Sequence, residues 1–593
     1  MRLASARLPI LVAFLSSPCL AQRTERASLS TAGREGDHGS GGGGPSISAD
    51  GRFVAFQSAA TNLVPQGVGG VLVRDLRTGR TELASVSSSG TPGDRGGDQP
   101  SISGDGRFVA FTSESTDLVP GDTNANMDVF VHDRLTGITE RQSVAADGTQ
   151  GNKYSKDPAI SADGRFVAFR SWSSNLVAGD ANDCEDIFVR DRLTGAIERA
   201  SVDSNGIEGN NASLFPALSA DGRFVAFYSV AWNLVPGDTN HVCDTFVHDR
   251  RTGATERVSV ATDGTQGNDW SGNWYGGAQP SVSADGRFVT FYSRASNFVA
   301  GDTTWTIDTF LRDRLNRTTE RIGRLGCVSS ISADGRFVAF GSTATDIIPG
   351  DTNGFADVFV RDRELGRTER VSVSTAGAQG DGDCFVGPYD NVSISADGRR
   401  VAFTSAATNL VPGDTNGWVD AFVRDRGDAA TFVLFCAGDG SGAACPCSNS
   451  GATGHGCENS ASTGGALLTA AGVASLSSDS VQLTSAGEPA DALCVVLQGR
   501  TAIDALSFGD GLRCTGEPLE RLFVRRAAGG ILAIPRAGDA SLSSRSAARG
   551  DEIPLGATRN YQVYYRDPSA TFCPSPRGGR FNVSNAIAIA WGA

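Results

Sequence analysis

The chain has 593 residues, 39% apolar and 20% charged, with 74 glycines and 22 prolines, which fits a turn-rich globular protein of more than one domain. A net charge of −14 gives no basic field of the kind a nucleic-acid binder of this size needs, so the global balance argues against one. Lys153 and Lys156 are the only lysines.

In chain order, residues 1–21 read as a signal peptide. Arg2 and Arg7 give a basic start, and Leu8 to Leu15 form an apolar run too short to cross a bilayer. Cys19-Leu20-Ala21 places small residues for cleavage after Ala21. No later stretch reaches about 18 uninterrupted apolar residues, so an exported chain with no membrane span is expected, as a monomer, extracellular or periplasmic.

A repeat then fills residues 22–427. The string S-x-D-G-R occurs seven times, with its aspartate at Asp50, Asp105, Asp163, Asp221, Asp285, Asp334 and Asp397. Each copy reads P-S-I-S-A-D-G-R-F-V-A-F, then N-L-V-P-G-D-T-N, then D-x-F-V-R-D-R, then T-E-R-x-S-V. Four short strands, A to D, can be read in each, and the second is apolar on both faces, as in a covered sheet. The seventh copy stops at Asp425-Arg426, before its T-E-R strand. That strand stands at the other end of the chain, as Thr24-Glu25-Arg26. The expectation is an all-β fold: a seven-bladed β-propeller closed by its N-terminal strand, which leaves no open sheet edge.

The P-x-x-S-x-D-G-x-x-x-A-F core (Pro100 to Phe111), followed by Asp128-Val129-Phe130, resembles the WD40-like (PD40) repeats of TolB-type propellers over about residues 24–427. The resemblance implies architecture and no activity, because one fold hosts many functions.

Strand parity puts the tight A–B and C–D turns on one face and the long B–C and D–A loops on the other, where function usually sits. Trp270, Trp274, Tyr275, Trp305 and Trp418 fall in these loops and are the expected ligand-binding residues, for a glycan, peptide or protein partner. The alternative is that the rings plug blade junctions. The B–C loops also repeat an acidic spacing: Asp122/Asn124/Asp128, Asp351/Asn353/Asp357 and Asp414/Asn416/Asp420, with further copies in the third and fourth repeats and none in the first. Oxygens at this spacing could begin a Ca²⁺ site, the one cofactor the sequence raises. The favoured reading is a turn held by Asp and Asn side chains.

Residues 428–593 differ in composition and are cysteine-rich. They read as a small disulfide-bonded β-sandwich, and the FCxGDGSGxxCPC, HGCxNS and YQVYYRD segments resemble a C-terminal module of large secreted bacterial proteins. Cys445, Cys447 and Cys457 with His455 could bind zinc. Disulfides are the favoured reading in an exported chain. The expected bridges are Cys184–Cys243 and Cys327–Cys384 between repeats, Cys436 and Cys457 to Cys445 or Cys447 in either arrangement, and Cys514–Cys573, with Cys494 left as a buried thiol.

No G-x-S-x-G, H-E-x-x-H or P-loop occurs. The function expected is therefore non-catalytic binding through the long-loop face. The rivals are a secreted polysaccharide lyase or hydrolase, which needs paired carboxylates without repeat copies, and a TolB-like envelope scaffold.

Overall fold

The computed structural model describes residues 22–593 apart from 273–278, 304, 327, 385–390, 428–431, 440–443, 447, 453, 472–473, 475, 477–478, 480, 537, 555–556, 568–579 and 592–593. The signal-peptide reading of residues 1–21 lies outside them. No helix among the described residues is long and apolar enough to cross a membrane. The chain divides into two compact units, one spanning Gln22–Arg426 and the other containing Gly427–Ala593.

The first unit holds seven antiparallel four-stranded sheets. Six are built from consecutive strands, such as Asp98–Ile102, Phe108–Ser113, Asp128–Asp133 and Ile138–Arg141. The seventh is Ser393–Ile394, Arg400–Ser405 and Asp420–Asp425, with Arg23–Arg26 as its outer strand, paired Arg23↔Asp425 through Arg26↔Phe422. In the second repeat the outer strand ends at Arg141, and Ser143 Oγ just beyond it donates to Asp128.

The repeat motif explains itself physically. In S-x-D-G-R, Ser48 Oγ and the Arg52 backbone N–H both donate to Asp50, which closes the turn. The Arg52 guanidinium then grips Asp75 at the end of the third strand with two bonds, of 2.9 and 2.6 Å. The glycine is obligatory. At Gly164 φ is +72°, and a Cβ there would lie 2.1 Å from the Phe108 ring of the preceding blade. Within six of the sheets a phenylalanine of the second strand stacks on one of the third, as Phe111 on Phe130 at 5.8 Å between centroids.

The A–B turns also bond to one another. Ala49 N–H donates to Gly104 C=O, Gly104 to Ala162, Ala162 to Ala220, Ala220 to Ala284, Ala284 to Ala333, Ala333 to Ala396, and Ala396 back to Ala49, at 2.9 to 3.2 Å. This closed collar of seven backbone bonds surrounds the axis on the turn face.

Between blades, an arginine after the third strand packs on its predecessor. Arg134 lies over the Phe53 ring, 4.5 Å from its centroid, and pairs with Glu82. The same trio recurs down to Arg426, Phe337 and Glu369. At the junction of the last and first blades the partners are exchanged. Leu76 stands in the arginine slot, and Arg400 stands in the phenylalanine slot and donates to Gly51 C=O at 2.9 Å. Leu76→Arg alone should therefore lower the melting temperature, by bringing a second cation to one carbonyl. Adding Arg400→Phe should restore it by recreating the common junction, an effect of about 1 kcal/mol. Equal melting of the single and double variants would contradict this pairing.

The second unit contains a five-stranded sheet (Phe432–Phe435, Phe581–Ala590, Thr558–Arg566, Leu493–Gly499, Glu520–Arg526) and a three-stranded one (Leu467–Ala471, Gln482–Ala486, Ile531–Ile534). Leu468, Leu483 and Ile534 of the smaller sheet share one core with Val496, Tyr561, Val563 and Ile587 of the larger, which makes a sandwich. A hairpin, Ala502–Phe508 with Gly511–Thr515, and a short helix, Leu542–Ala547, were not expected from the sequence.

The disulfides among the described residues are Cys445–Cys457 and Cys436–Cys514, each with Cα atoms 5.9 Å apart. The second corrects the expectation that Cys436 joins Cys445 or Cys447 and that Cys514 joins Cys573. Cys436 follows the edge strand at Phe435 and comes beside the hairpin strand that carries Cys514, across 78 residues of sequence. The first bridge takes two of the four proposed zinc ligands, and His455 Nδ1 bonds Gly465 C=O. Cys447, Cys573 and Cys327 lie outside the described residues. Cys494 is a buried free thiol. Cys184, Cys243 and Cys384 are also free thiols, which corrects the inter-repeat bridges. Cys184 sits four residues beyond Asp180, whereas Cys243 sits five beyond Asp238. This offset leaves Cys184 half-exposed and turns Cys243 into the core.

Candidate functional site

The long loops gather on the face opposite the collar. In their acidic repeats an arginine stands between the paired carboxylates, where the Ca²⁺ reading would put an ion. Arg141, from the outer strand, places its Nη1 3.1 Å from Asp122 and 3.4 Å from Asp128. Arg370 does the same between Asp351 (3.1 Å) and Asp357 (3.4 Å), and Arg26 between Asp414 (3.5 Å) and Asp420 (3.0 Å). Asn124, Asn353 and Asn416 turn their amide nitrogens toward Asp128, Asp357 and Asp420 and so donate to the carboxylate beside them. A guanidinium fills the place a metal would take. The richest such cluster, Asp180, Asp186 and Glu208, encloses Arg199 at 3.6, 3.1 and 2.5 Å. The first repeat has no acidic pair and carries Leu83 where the others carry this arginine, so acid and base vanish together.

These clusters are expected to favour an acid optimum of stability. Burial raises the carboxyl pKa of Asp128, Asp186, Asp244 and Asp420, and pushes Asp180 and Asp414 up to about 6. On the turn face, hydrogen bonds from arginine hold Asp75, Asp133, Asp191 and Asp249 well below the usual carboxylate range. A raised group stabilises the fold in its neutral form, a contribution complete below about pH 4 and lost as pH rises through about 6. A lowered group stabilises it as the anion, above about pH 4, and that contribution is lost on further acidification. Melting temperature should therefore climb from pH 7 to 5 and fall below pH 4. A thermal-unfolding series across that range checks the shape, and a curve that rises steadily to pH 7 contradicts it.

Four tryptophans of these loops are open to solvent: Trp172 (38% exposed), Trp232 (52%), Trp305 (56%) and Trp418 (50%). Trp418 stacks on His38, and Trp232 meets His241 edge-on. Trp270 is instead half-buried, packed against the core and edge-on to Tyr292, so its ring serves the blade junction. Trp274 and Tyr275 lie outside the described residues.

A charged group that the motif reading passed over stands beside the axial cavity, a space of about 240 Å³ lined by the inner strands, with Gln99 and Asp157 in its wall. Buried Asp157 lies 2.5 Å from Arg170 Nε, whose Nη1 is 3.3 Å from buried Glu185. Gln99 donates to Asp157, Tyr154 Oη to Glu185 at 2.7 Å, and the Arg170 guanidinium covers the Phe215 ring at 4.7 Å. Gln99, Asp157 and Phe215, each before a proline, have φ of 51°, 56° and 53°. These left-handed residues bulge the inner strands of repeats two, three and four. The slot of Glu185 holds Gly69, Met127, Cys243, Ile307, Ala356 and Val419 elsewhere, so aligning the seven copies exposes the anomaly.

No family model matches the chain, and no curated protein matches it. Solved structures similar to it are β-propeller proteins. They include an oligogalacturonate lyase from Vibrio parahaemolyticus (13% identity, 68% of this chain and 97% of that one, TM-score 0.40). The β-propeller domain of the Trilobed protease from Pyrococcus furiosus also matches (13%, 69% and 94%, 0.39). So does a TolB protein of Agrobacterium tumefaciens (16%, 51% and 90%, 0.31).

Proposed function

We propose that this is an exported, non-catalytic binding protein that presents the long-loop face of its propeller to a glycan or peptide. The observation that carries the reading is the set of four solvent-open tryptophans on that face. Large exposed rings of this kind cost a soluble protein apolar exposure and are spent on ligand contact. The acidic clusters supply no free base to support catalysis, because Asp157 and Glu185 are both committed to Arg170 and the loop pairs to their own arginines. The disulfides in the second unit suit an oxidising compartment.

The test is a glycan and peptide array with the full chain, followed by Trp232→Ala/Trp305→Ala/Trp418→Ala in one protein. Binding to an array hit should drop at least tenfold with the melting temperature unchanged, since these rings are exposed. Unchanged affinity would take these three rings out of the site.

A further inference from the structure

We propose that the third repeat carries a subsite for a carboxylate-bearing sugar, at the loop-face rim of the axial cavity, with Lys156 as the group that receives the carboxylate. The inference rests on the binding function above and deepens it by naming the ligand class.

The seven repeats act as an internal control. Six copies fold without a lysine, and both lysines of the chain fall three residues apart in the third, on either side of Tyr154 and Ser155. Lys153 sits over the Trp172 ring at 4.9 Å and is paired with Asp183 at 2.7 Å. Lys156 sits over the Tyr154 ring, also at 4.9 Å, and its ammonium has no hydrogen bond or ion pair among the described residues. It is half-buried, and it is the cross-strand neighbour of Arg170, so the two cations share one face of the sheet. The acids beside it are already committed: Asp157 and Glu185 hold Arg170. An unpaired, partly desolvated ammonium in such a frame calls for an anion from outside.

The rings decide what bears that anion. Tyr154 and Trp172 meet edge to face, 5.8 Å apart, and Trp172 spends its indole N–H on Asp183 C=O. Trp172 keeps 38% of its surface exposed, beside the Lys153 ammonium. A uronate offers both complements, an apolar C–H face for stacking and a ring carboxylate for Lys156. An acidic peptide offers only the second.

The experiment is equilibrium binding of the full chain to galacturonate- and glucuronate-containing oligosaccharides, to the same sugars with their carboxyls methyl-esterified, and to an oligo-glutamate peptide. Lys156→Met keeps the aliphatic stem over Tyr154 and removes only the charge, so the fold should be unaffected, and an unchanged melting temperature checks this. The expected result is binding to one uronate series, weakened about 10- to 100-fold both by esterification and by Lys156→Met. Absence of uronate binding, indifference to either change, or tighter binding of the peptide overturns the proposal. Array binding lost in the tryptophan triple variant but indifferent to Lys156→Met leaves the loop-face function standing and removes this subsite. Lys156-dependent uronate binding that survives in the triple variant keeps this subsite and takes Trp232, Trp305 and Trp418 out of the ligand contact.

Discussion

Removing Arg23–Ser30 should leave a propeller that no longer folds cooperatively at room temperature. The segment supplies the whole outer strand of the seventh sheet, through the pairs Arg23↔Asp425 to Arg26↔Phe422. It also places Ala27, fully buried, in the core with Ala402, Ala421 and Val423. Its largest contribution is electrostatic. Arg26, 6% exposed, is the cation between Asp414, Asp420 and Glu35, and Ser28 Oγ donates to Asp420 at 2.6 Å. Removing the cation from a buried cluster of this kind costs about 3–5 kcal/mol before any loss of ladder bonds is added. That is a large share of a domain's typical margin of about 5–15 kcal/mol. Near-ultraviolet circular dichroism and thermal unfolding read the outcome. A shortened chain that melts with the parent would show that the ring does not depend on its N-terminal strand.

Arg170→Thr should be nearly as damaging, by about 3–5 kcal/mol, because it leaves Asp157 and Glu185 buried without their counter-charge. The informative variant replaces all three charged residues with those of the second repeat, as Asp157→Gln/Arg170→Thr/Glu185→Met, after Gln99, Thr112 and Met127. The triple variant should recover the parent's stability or exceed it by about 1–4 kcal/mol, since a buried ion cluster is often worth less than an uncharged packing of similar volume. Thermal unfolding separates the cases. A triple variant as unstable as the single one would make the cluster part of the scaffold and not an addition to it.

Much of the propeller is written in short-range chemistry, and so it was legible. The S-x-D-G-R turn bonds within five residues, the Phe pairs are fixed by adjacent strands, and the missing last strand is found by matching Thr24-Glu25-Arg26 to its repeat copies. The loop carboxylates were harder because their partner is not in the loop: Arg141 lies 13 residues beyond Asp128, on the next strand. The cue was present in the first repeat, where Leu83 replaces the arginine and the acids are gone. The third-repeat cluster was harder to read because Asp157, Arg170 and Glu185 belong to no motif and come from three separate stretches of one blade, with Gln99 added only when the second blade packs on it. In the second unit no repeat offers a comparison, and the Cys436–Cys514 bridge spans 78 residues, so proximity in sequence pointed to the wrong partners.

The exchange of Leu76 and Arg400 bears on how the molecule counts its own parts. Seven near-copies of one unit could dock in the wrong order, or join two chains into a larger open array, since most junctions offer the same arginine and the same ring. The first unit cannot seat well on an ordinary neighbour, because Leu76 brings no guanidinium to a phenylalanine-bearing partner. The last unit cannot seat well before an ordinary one, because Arg400 meets a second arginine there. A repeat bearing Leu76 complements a repeat bearing Arg400 better than it complements an ordinary one, so this pair marks the one junction at which the last repeat is expected to meet the first.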